Sequence, residues 1–428
     1  MSTNHHNRRA DPPNRKTLIL FWRSLGPYHV ARATAAAEAF AARGVHTIAL
    51  ELCDADEMHQ WEVDRATLPI EVRTIAPQTR LFNHLPSWAG RVIELLDDVR
   101  PAYVAVAGWT RPEMRAALRW AGRHGATAVL MSETKWDDRP RTWWKRAYAA
   151  RQVRRAQAAL VSGGPAGEYL VSLGMPRERI FRQYGAVDNA FFARHSEQAR
   201  QQEGGLEHRS RRYFVACCRL VEVRKNLVRM LLAYERYRQV AGDSPWELVV
   251  CGDGPDAAAL RGLVAQRGIE GVCFAGAQQA DGVAGYYAGA SCFIHPAMNE
   301  AWGLVVNEAL AAGLPVLVSR RCGCAYDLVD EGGNGWTFNP YDVEELARLM
   351  ARVGTLTPEA LQAMGRRSEQ VIRRFGVERF GQGLLDTVDA VERMDRGRGF
   401  GEAELRAAGL EPARAGVAAD GPRCVPGG

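Results

Sequence analysis

Glu300 and Glu308 stand eight positions apart in HPAMNEAWGLVVNEALAAGLPVLVS, and this pair is the most informative feature of the chain. Glu300 lies in a polar turn after an apolar strand pattern, whereas Glu308 lies inside a helix that the AWGL turn opens. Eight helical residues span about 12 Å, roughly the reach from the sugar to the ribose of a nucleotide sugar. The free N–H groups at the start of such a helix suit a diphosphate between the two carboxylates. The alternative is a pair of solvated carboxylates on an amphipathic helix.

Two cations and a glycine turn precede this pair. Arg219 follows the strand pattern YFVACC, and Lys225 stands just before a long helical pattern. A guanidinium fork and a compact ammonium can face one diphosphate. The turn ELVVCGDGP places Gly252 and Gly254 where the backbone must closely approach a ligand or a neighbouring strand. Its G-x-G-x-x-A spacing also fits a dinucleotide fingerprint, but Glu270 precedes the next strand instead of ending it, which disfavours that cofactor.

The elements that position these residues form two series of alternating strands and helices. The strand patterns of the first series are TLILFW, HTIALEL, YVAVAG, TAVLMS and AALVSG. Those of the second are YFVACC, ELVVCG, VCFAG, CFIHP and LPVLVS. Alternation of this kind predicts parallel sheets, and 428 residues exceed the usual size of one hydrophobic core. We therefore expect two open α/β domains, with ligands in the cleft at the carboxyl ends of the strands.

Composition sets the expected boundaries of the domains. The polar start at 1–15 and the glycine- and proline-rich tail at 395–428 are expected to be disordered. The charged stretch 195–212 lacks an apolar period and is predicted to be the interdomain linker. The first domain then covers 16–194 and the second covers 213–376.

Overall composition is that of a soluble globular protein and disfavours several other classes. The net charge of +6 does not by itself imply nucleic acid. No segment approaches the roughly 18 apolar residues of a membrane span, and the start lacks the apolar part of a secretion signal. The nine cysteines build no disulfide framework, and Cys322 with Cys324 lacks the second pair that a zinc site needs. We expect a cytoplasmic protein without a bound metal.

The motifs, in this order, resemble those of the retaining nucleotide-sugar glycosyltransferases of glycosyltransferase family 4. The resemblance is carried by Arg219 with Leu220, Lys225 with Asn226, the GDGP turn, HPAMNEAWGLVVNEALAAGLPVLVS and NGWTFNP. It covers roughly residues 16 to 394 and is strongest from 214 to 340. It implies the GT-B fold, in which two Rossmann-like domains face each other across a cleft. It also implies that a final helix at 377–394 crosses back onto the first domain.

The same resemblance implies roles for residues of the second domain. Arg219 and Lys225 would bind the diphosphate of the donor. Glu300 would bind hydroxyls of the transferred sugar, and Glu308 would accept hydrogen bonds from the ribose. Arg219, Lys225 and Glu300 are therefore the predicted catalytic residues.

The start of the helix and the loop beyond it complete the expected donor site. By the resemblance, the backbone at Gly303 and Leu304 would hold the distal phosphate, in agreement with the argument from the helix start. The chain departs from the family pattern after PVLVS, where CGCAYD replaces a Gly-Gly pair followed by an acid. No role is assigned to Tyr326 or Asp327.

The first domain is expected to bind the acceptor, and its motifs are less explicit. Gly26 can let the loop after the first strand approach the donor phosphates. His29 beside it can contact sugar or acceptor, or it can act as a cap or packing residue. Ser132, Glu133 and Asp137 follow a strand that faces the cleft, and Glu133 is the nearest candidate general base.

The predicted chemistry needs neither a metal nor a cofactor. Fixed cations and helix N–H groups stabilise a departing nucleoside diphosphate more than its ground state. Asp54 and Asp56 imitate the Asp-x-Asp of metal-dependent enzymes, but they follow a strand of the first half and are interpreted as a solvated loop. Retention through a covalent intermediate would use two carboxylates about 5 Å apart, and Glu300 and Glu308 are too distant in sequence. Front-face displacement, assisted by the leaving phosphate, is therefore predicted.

Several alternatives stay open. The basic stretch 141–157, RTWWKRAYAARQVRRAQ, is either an amphipathic helix on an anionic membrane face or a core helix with a solvated arginine side. The main expectation is transfer of a sugar to a carbohydrate, lipid-linked or small-molecule acceptor. A nucleotide-sugar epimerase and a glycan phosphorylase with lysine-bound pyridoxal phosphate can share this architecture. An inactive sugar-binding or membrane-docked module is the remaining alternative.

Overall fold

The chain folds into two α/β domains, each built around a parallel sheet. A computed structural model describes residues 16–56, 63–77, 80–81, 87–202, 212–242 and 244–397. The predicted disordered start, most of the predicted tail and part of the predicted linker lie outside these residues. The predicted fold class, two parallel-sheet α/β domains, is confirmed.

The first domain holds a seven-stranded sheet within the described residues. The nine described strands of this domain are β1 (Thr17–Trp22), β2 (His46–Glu51), β3 (Ala55–Asp56), β4 (Glu71–Thr74), β5 (Arg80–Leu81), β6 (Tyr103–Ala107), β7 (Thr127–Ser132), β8 (Ala158–Val161) and β9 (Ile180–Phe181). The order is β4-β2-β1-β6-β7-β8-β9, while β3 and β5 pair separately. Its helices are α1 (Pro27–Ala41), α2 (Ala89–Val99), α3 (Pro112–His124), α4 (Trp143–Val153) and α5 (Gly164–Ser172). All five strand patterns predicted here are strands, whereas the short β4 and β9 lack the apolar run that would reveal them.

The second domain holds a six-stranded sheet in the part of the chain that the structure describes. Its strands are β10 (Tyr213–Cys217), β11 (Glu247–Cys251), β12 (Val272–Gly276), β13 (Cys292–His295), β14 (Val316–Ser319) and β15 (Gly335–Phe338). The order is β12-β11-β10-β13-β14-β15, and every pairing is parallel. Both faces are covered by helices, so the central strands are continuous apolar runs.

The remaining helices surround this second sheet and return to the first domain. They are α6 (Asn189–Gln201), α7 (Glu222–Lys225), α8 (Leu227–Val240), α9 (Ala257–Arg267), α10 (Ala280–Gly289), α11 (Leu304–Ala311), α12 (Ala325–Leu328), α13 (Val343–Gly354), α14 (Pro358–Ile372) and α15 (Val377–Asp395). The last helix, α15, packs against α1 of the first domain. Their approach is close, since a Cβ at Gly381 would overlap the backbone carbonyl of Ala35.

The predicted linker at 195–212 is wrong in its first part, because residues 195–201 are the last turns of α6. This helix docks on α10, where the Ser196 hydroxyl donates to the Ala284 carbonyl at 3.0 Å. Few apolar residues hold this part of α6 against α10. The sequence of 195–201 therefore does not show the apolar period of an amphipathic helix. Residues 203–211 lie outside the described part of the chain.

Candidate functional site

Three loops at the carboxyl ends of β10, β11 and β13 meet and carry the predicted donor-binding residues. The loop after β10 is joined to the glycine turn after β11, since the Leu220 N–H donates to the Asp253 carbonyl at 2.9 Å. It is joined to the loop after β13 as well, since the Met298 N–H donates to the Arg224 carbonyl at 2.8 Å. Backbone hydrogen bonds thus hold the three loops as one surface.

The glycines of the turn after β11 are required by this packing. Gly252 has φ +135°, and a Cβ there would overlap the carbonyl oxygen of Cys218. A Cβ at Gly254 would likewise overlap the Leu220 carbonyl. The sequence left open whether these glycines approach a ligand or a neighbouring strand. In the structure they closely approach the neighbouring loop, which carries Arg219. A role of these glycines in donor binding stays a prediction.

Lys225, Glu300 and His295 form a charged cluster beneath that surface. The Lys225 ammonium makes an ion pair with Oε2 of Glu300, and each of the two side chains is only 15% exposed. Nε2 of His295 lies 3.4 Å from the same oxygen, and this ring is buried. Burial opposes the charge on Glu300, but Lys225 and then His295 hold the pKa of its carboxyl well below the usual range. Glu300 is therefore a carboxylate at neutral pH, able to accept hydrogen bonds but not to donate a proton.

The turn that presents Lys225 is fixed by its neighbour. Asn226 adopts a left-handed conformation with φ 58° between α7 and α8. Its buried amide nitrogen donates to the Pro296 carbonyl at 3.2 Å and to the Pro340 carbonyl at 2.8 Å. Asparagine tolerates this backbone region better than most residues do, and its side chain bonds the loop after β13. Arg219 lies in the same connection after β10, with an exposed side chain.

The helix that follows Glu300 begins where the sequence predicted. Gly303 precedes α11 with φ +112°, a conformation that favours glycine. A Cβ there would contact Sγ of Cys324 at 3.3 Å and Cγ of Glu300 at 3.5 Å. The N–H groups of Leu304 and its neighbours are therefore at the edge of the charged cluster, as a phosphate-binding helix start would require.

Glu308 lies in α11 at the interface between the two domains and is almost fully buried. Its Oε1 accepts a hydrogen bond from the hydroxyl of Tyr28, which belongs to α1 of the first domain. Its Oε2 accepts a hydrogen bond from Tyr287 at 3.0 Å. Burial raises the pKa of Glu308 to about 7 in spite of these bonds. Sequence reasoning missed Tyr28, although it adjoins His29.

The loop before α1 is organised by the histidine that the sequence singled out. The Gly26 N–H donates to Nδ1 of His29 at 3.1 Å, so His29 caps the start of α1. Its ring also lies 5.4 Å from that of Trp22. The cap and packing role is therefore observed, while contact of Gly26 or His29 with a ligand stays a prediction.

The segment after β7 brings a second carboxylate toward Glu300. Burial raises the pKa of Glu133, Arg32 opposes this shift, and the charge of Glu300 adds to it. Ser132 is buried. Asp137 is held by Lys135 at 2.5 Å and by Arg321 of the second domain at 3.4 Å. Its carboxylate is thus used in ion pairs, which leaves Glu133 as the candidate base.

Further contacts join the domains beside α11. The Asn307 amide donates to the Gly185 carbonyl at 2.8 Å. Asp327, to which the sequence gave no role, accepts from the Gly164 N–H at 2.8 Å and lies 3.3 Å from the Arg182 guanidinium. The CGCAYD loop that departs from the family pattern therefore contacts the first domain.

Of the residues considered for a metal, Asp54 and Asp56 belong to the first domain, whereas Cys322 pairs with the Glu300 backbone beside the charged cluster. Asp54 follows β2, and Asp56 in β3 pairs with Leu81 of β5. Cys322 and Cys324 are fully buried, and burial raises the pKa of both thiols. Within the ranges that the structure describes, no group of three or more His, Cys, Asp or Glu side chains is arranged to hold a metal ion.

Comparison with known structures defines the fold. The chain superposes on the crystal structure of Anabaena Alr3699/HepE in complex with UDP and glucose with a TM-score of 0.65 and 17% identity, over 88% of this chain and 100% of that one. It also superposes on a sucrose-phosphate synthase from Thermosynechococcus elongatus with a TM-score of 0.64 and 17% identity, over 90% and 100%. At this identity the similarity shows the fold alone, and the predicted GT-B fold is confirmed.

Sequence comparison narrows the class. Residues 198–371 match the family described as glycosyl transferases group 1. A GDP-mannose-dependent alpha-mannosyltransferase of Corynebacterium glutamicum is 33% identical over 106 residues, which are 25% of this chain and 24% of that protein. The sulfoquinovosyl transferase SQD2 of Arabidopsis thaliana is 41% identical over 97 residues, which are 22% of this chain and 18% of that protein. The chain thus spans about a quarter or less of the length of these relatives. The comparisons support a group 1 glycosyltransferase, and the matched segment contains the charged cluster and α11.

Proposed function

We propose that this chain is a retaining glycosyltransferase that moves a sugar from a nucleoside diphosphate sugar to an acceptor hydroxyl. The observation that carries the proposal is the cluster of Lys225, Glu300 and His295 beside the start of α11. A cation and helix N–H groups next to a fixed carboxylate suit a diphosphate and the hydroxyls of its sugar. The names of the similar proteins support a nucleotide-linked donor, since one depends on GDP-mannose and another was solved with UDP and glucose.

The proposed site contributes most by stabilising the negative charge of the leaving diphosphate. Breaking the bond from the anomeric carbon to the phosphate oxygen leaves its electron pair, and thus negative charge, on the diphosphate. Lys225, Arg219 and the N–H groups at Gly303 and Leu304 stabilise this charge more than that of the intact donor. Such a site needs neither a divalent metal nor a cofactor.

The state and position of the carboxylates support the proposal that retention proceeds without a covalent intermediate. Glu300 is ionised and ion-paired with Lys225, so it is suited to holding sugar hydroxyls and is a weak nucleophile. Glu308 is engaged with Tyr28 and Tyr287 further along α11. In front-face displacement the acceptor hydroxyl attacks on the side that the phosphate leaves, and the phosphate oxygen takes its proton. Glu133 from the first domain is the candidate that assists this proton transfer.

The donor and acceptor can be tested directly. Calorimetric titration with UDP, GDP and ADP in the presence of EDTA should give binding of at least one nucleotide, because no metal is required. Glu308→Ala and Lys225→Ala should weaken that binding, whereas Glu270→Gln, which changes an exposed carboxylate, should leave it unchanged. Glu300→Ala should chiefly lower the rate of transfer.

The anomeric configuration of the product identifies the type of reaction. NMR of the product formed from the preferred sugar nucleotide and a panel of carbohydrate, lipid-linked and small-molecule acceptors should show the anomeric configuration of the donor. Inversion, a trapped covalent glycosyl-enzyme, or loss of all nucleotide binding in EDTA would each contradict the proposal. Conversion of the donor without an acceptor would indicate an epimerase instead.

A further inference from the structure

The exposed large aromatic side chains of the chain concentrate in one place. Among the described residues, nine large hydrophobic side chains are exposed, and four of them are Trp136, Trp143, Trp144 and Tyr148. Trp143 is 82% exposed and Trp144 is 55% exposed. Helix α4, which carries three of the four, buries only Ala149, Gln152 and Val153. Helix α4 therefore packs on the core only through its C-terminal half, with Ala149 and Val153, and exposed apolar surface such as that of its first turn calls for a partner.

The same surface carries uncompensated positive charge. Residues 139–157 contain seven Lys or Arg and neither Asp nor Glu. None of these seven forms a salt bridge with a carboxylate in the part of the chain that is described. Burial and then the positive charges of Arg119 and Arg151 lower the pKa of Arg155. An anionic partner would relieve this repulsion.

Cations and aromatic rings alternate on this surface. The Arg146 guanidinium lies 4.7 Å from the ring centre of Trp136, and the Lys145 ammonium lies 5.2 Å from that of Trp144. Tryptophan favours the headgroup level of a bilayer, while lysine and arginine extend toward lipid phosphates. Within the described residues no helix is long and apolar enough to cross a membrane, so such a contact would be peripheral.

The position of this surface relates it to the cleft. Trp136 and the start of α4 flank the loop at 137–142, where the Asp138 carbonyl accepts from the Asn299 amide at 2.9 Å. Asn299 directly precedes Glu300 of the charged cluster. The aromatic and basic surface thus borders the edge of the cleft that lies between β7 and Glu300.

We propose that α4 and the loop before it form a docking surface for an anionic phospholipid bilayer. The surface is defined as Trp136, Trp143, Trp144, Tyr148 and the basic residues of 139–157. A protruding tryptophan pair inserts at headgroup depth, and the arginines bind lipid phosphates electrostatically. A bound chain would hold its cleft edge against the lipid surface, where a lipid-borne acceptor hydroxyl is accessible. The docking itself does not depend on the proposed transferase function.

Vesicle sedimentation of the full chain tests this surface. Sucrose-loaded vesicles of phosphatidylcholine with 25% phosphatidylglycerol should sediment the protein at about 50 mM NaCl but not at about 500 mM, because the attraction is screened. Vesicles of phosphatidylcholine alone should not sediment it. Trp143→Ala with Trp144→Ala, and separately Arg151→Gln with Arg154→Gln, should each weaken binding roughly tenfold.

Matched controls separate docking from general loss of charge or fold. Arg348→Gln with Arg366→Gln removes two exposed charges of the second domain and should leave vesicle binding unchanged. Tyr326→Ala with Tyr341→Ala removes exposed aromatics elsewhere and should also leave it unchanged. Thermal midpoints of all variants should match that of the parent, since the altered side chains are exposed. Nucleotide binding, measured in parallel, reports on the proposed transferase site separately.

Three results would overturn the docking proposal. The first is an absence of binding at low salt. The second is equal binding to neutral and anionic vesicles, or equal binding by the tryptophan variant and the parent. The third is salt-sensitive binding of a single-stranded DNA oligonucleotide that the same variants abolish, without vesicle binding, which would assign the surface to nucleic acid.

Discussion

The hydroxyl of Tyr28 in α1 donates a hydrogen bond to Oε1 of Glu308 in α11, and this contact joins the two domains across the cleft. Burial and then the charge of Glu308 raise the pKa of Tyr28 well above its usual value, so the hydroxyl remains a donor at neutral pH. Under the proposed function, ribose hydroxyls need the same carboxylate. Tyr28 and the donor nucleotide therefore compete for Glu308.

Tyr28→Phe should raise the affinity for the preferred nucleotide. The substitution removes the competing hydroxyl and keeps the ring, so Glu308 becomes available to ribose without a domain contact being broken first. One hydrogen bond of this kind corresponds to about 1 kcal/mol, or roughly fivefold in the dissociation constant. Calorimetric titration of the variant and the parent with the same nucleotide measures the difference.

Tyr287→Phe is the matched control for that measurement. Tyr287 donates to the other carboxylate oxygen from α10 of the same domain, so its hydroxyl supports Glu308 without linking the domains. Its removal should weaken nucleotide binding. If Tyr28→Phe weakens binding to a similar extent, Tyr28 belongs to the donor site and competition is the wrong account.

Glu308 should make the stability of the protein depend on pH. Its pKa is about 7 in the folded state, against 4.5 for an ordinary glutamate. Between these values the folded state holds a proton that the unfolded state has released, so the free energy of unfolding falls as pH rises. The contribution of this group is about 3 kcal/mol across that window. Urea unfolding at pH 5 and pH 7.5 should show this loss of stability in the parent and not in Glu308→Gln. The same change in the free energy of unfolding with pH in both proteins would contradict the prediction.

The strands of the second domain and the loops after them could be predicted because their motifs are local. Gly252 follows a strand, Gly303 precedes a helix, and Lys225 ends the short α7 between β10 and α8. The order of strands in the chain brings these loops together. Parallel βαβ connections leave little freedom in where such loops lie. Binding of an anion beside the carboxylate stays a prediction from these residue types.

The contacts between the domains could not be predicted in the same way. Tyr28 and Glu308 are 280 positions apart, and neither motif indicates that the other approaches it. His295 was visible in the quoted strand, but only the distance to Glu300 shows that it adjoins the carboxylate. The helix over 195–201 escaped prediction because its docking relies on a hydroxyl and two aromatic rings, not on an apolar stripe.

Lys225 and Glu300 should stabilise the fold as a pair. Each is largely buried, so Lys225→Met leaves a carboxylate without its counter-ion and should lower the free energy of unfolding by about 3 kcal/mol. Glu300→Gln should be destabilising for the same reason. The double variant should regain most of the loss, because a buried pair can be replaced by neutral groups at little cost. Urea unfolding of the four proteins gives the coupling energy.

Nucleotide titration of the same four proteins separates folding from binding. Lys225→Met and the double variant should both bind the nucleotide weakly, since neither has the cation that faces the diphosphate. Additive effects on stability would mean that the ion pair is not formed in solution. Normal nucleotide affinity in the double variant would remove Lys225 from the donor site.

Gly252→Ala should destabilise the protein by at least about 2 kcal/mol. The backbone at this position has φ +135°, and the added Cβ would overlap the Cys218 carbonyl, so either the glycine turn or the loop that carries Arg219 must move. Gly262→Ala is the matched control, because Gly262 lies within α9 with open space around its Cα. That substitution should raise stability by about 0.8 kcal/mol, as alanine does in an exposed helix. Unfolding in urea measures both effects.

Because the displaced loop also leads to Lys225, nucleotide affinity should fall in Gly252→Ala and not in Gly262→Ala. An unchanged affinity in Gly252→Ala would show that the packing of the turn does not position the cations.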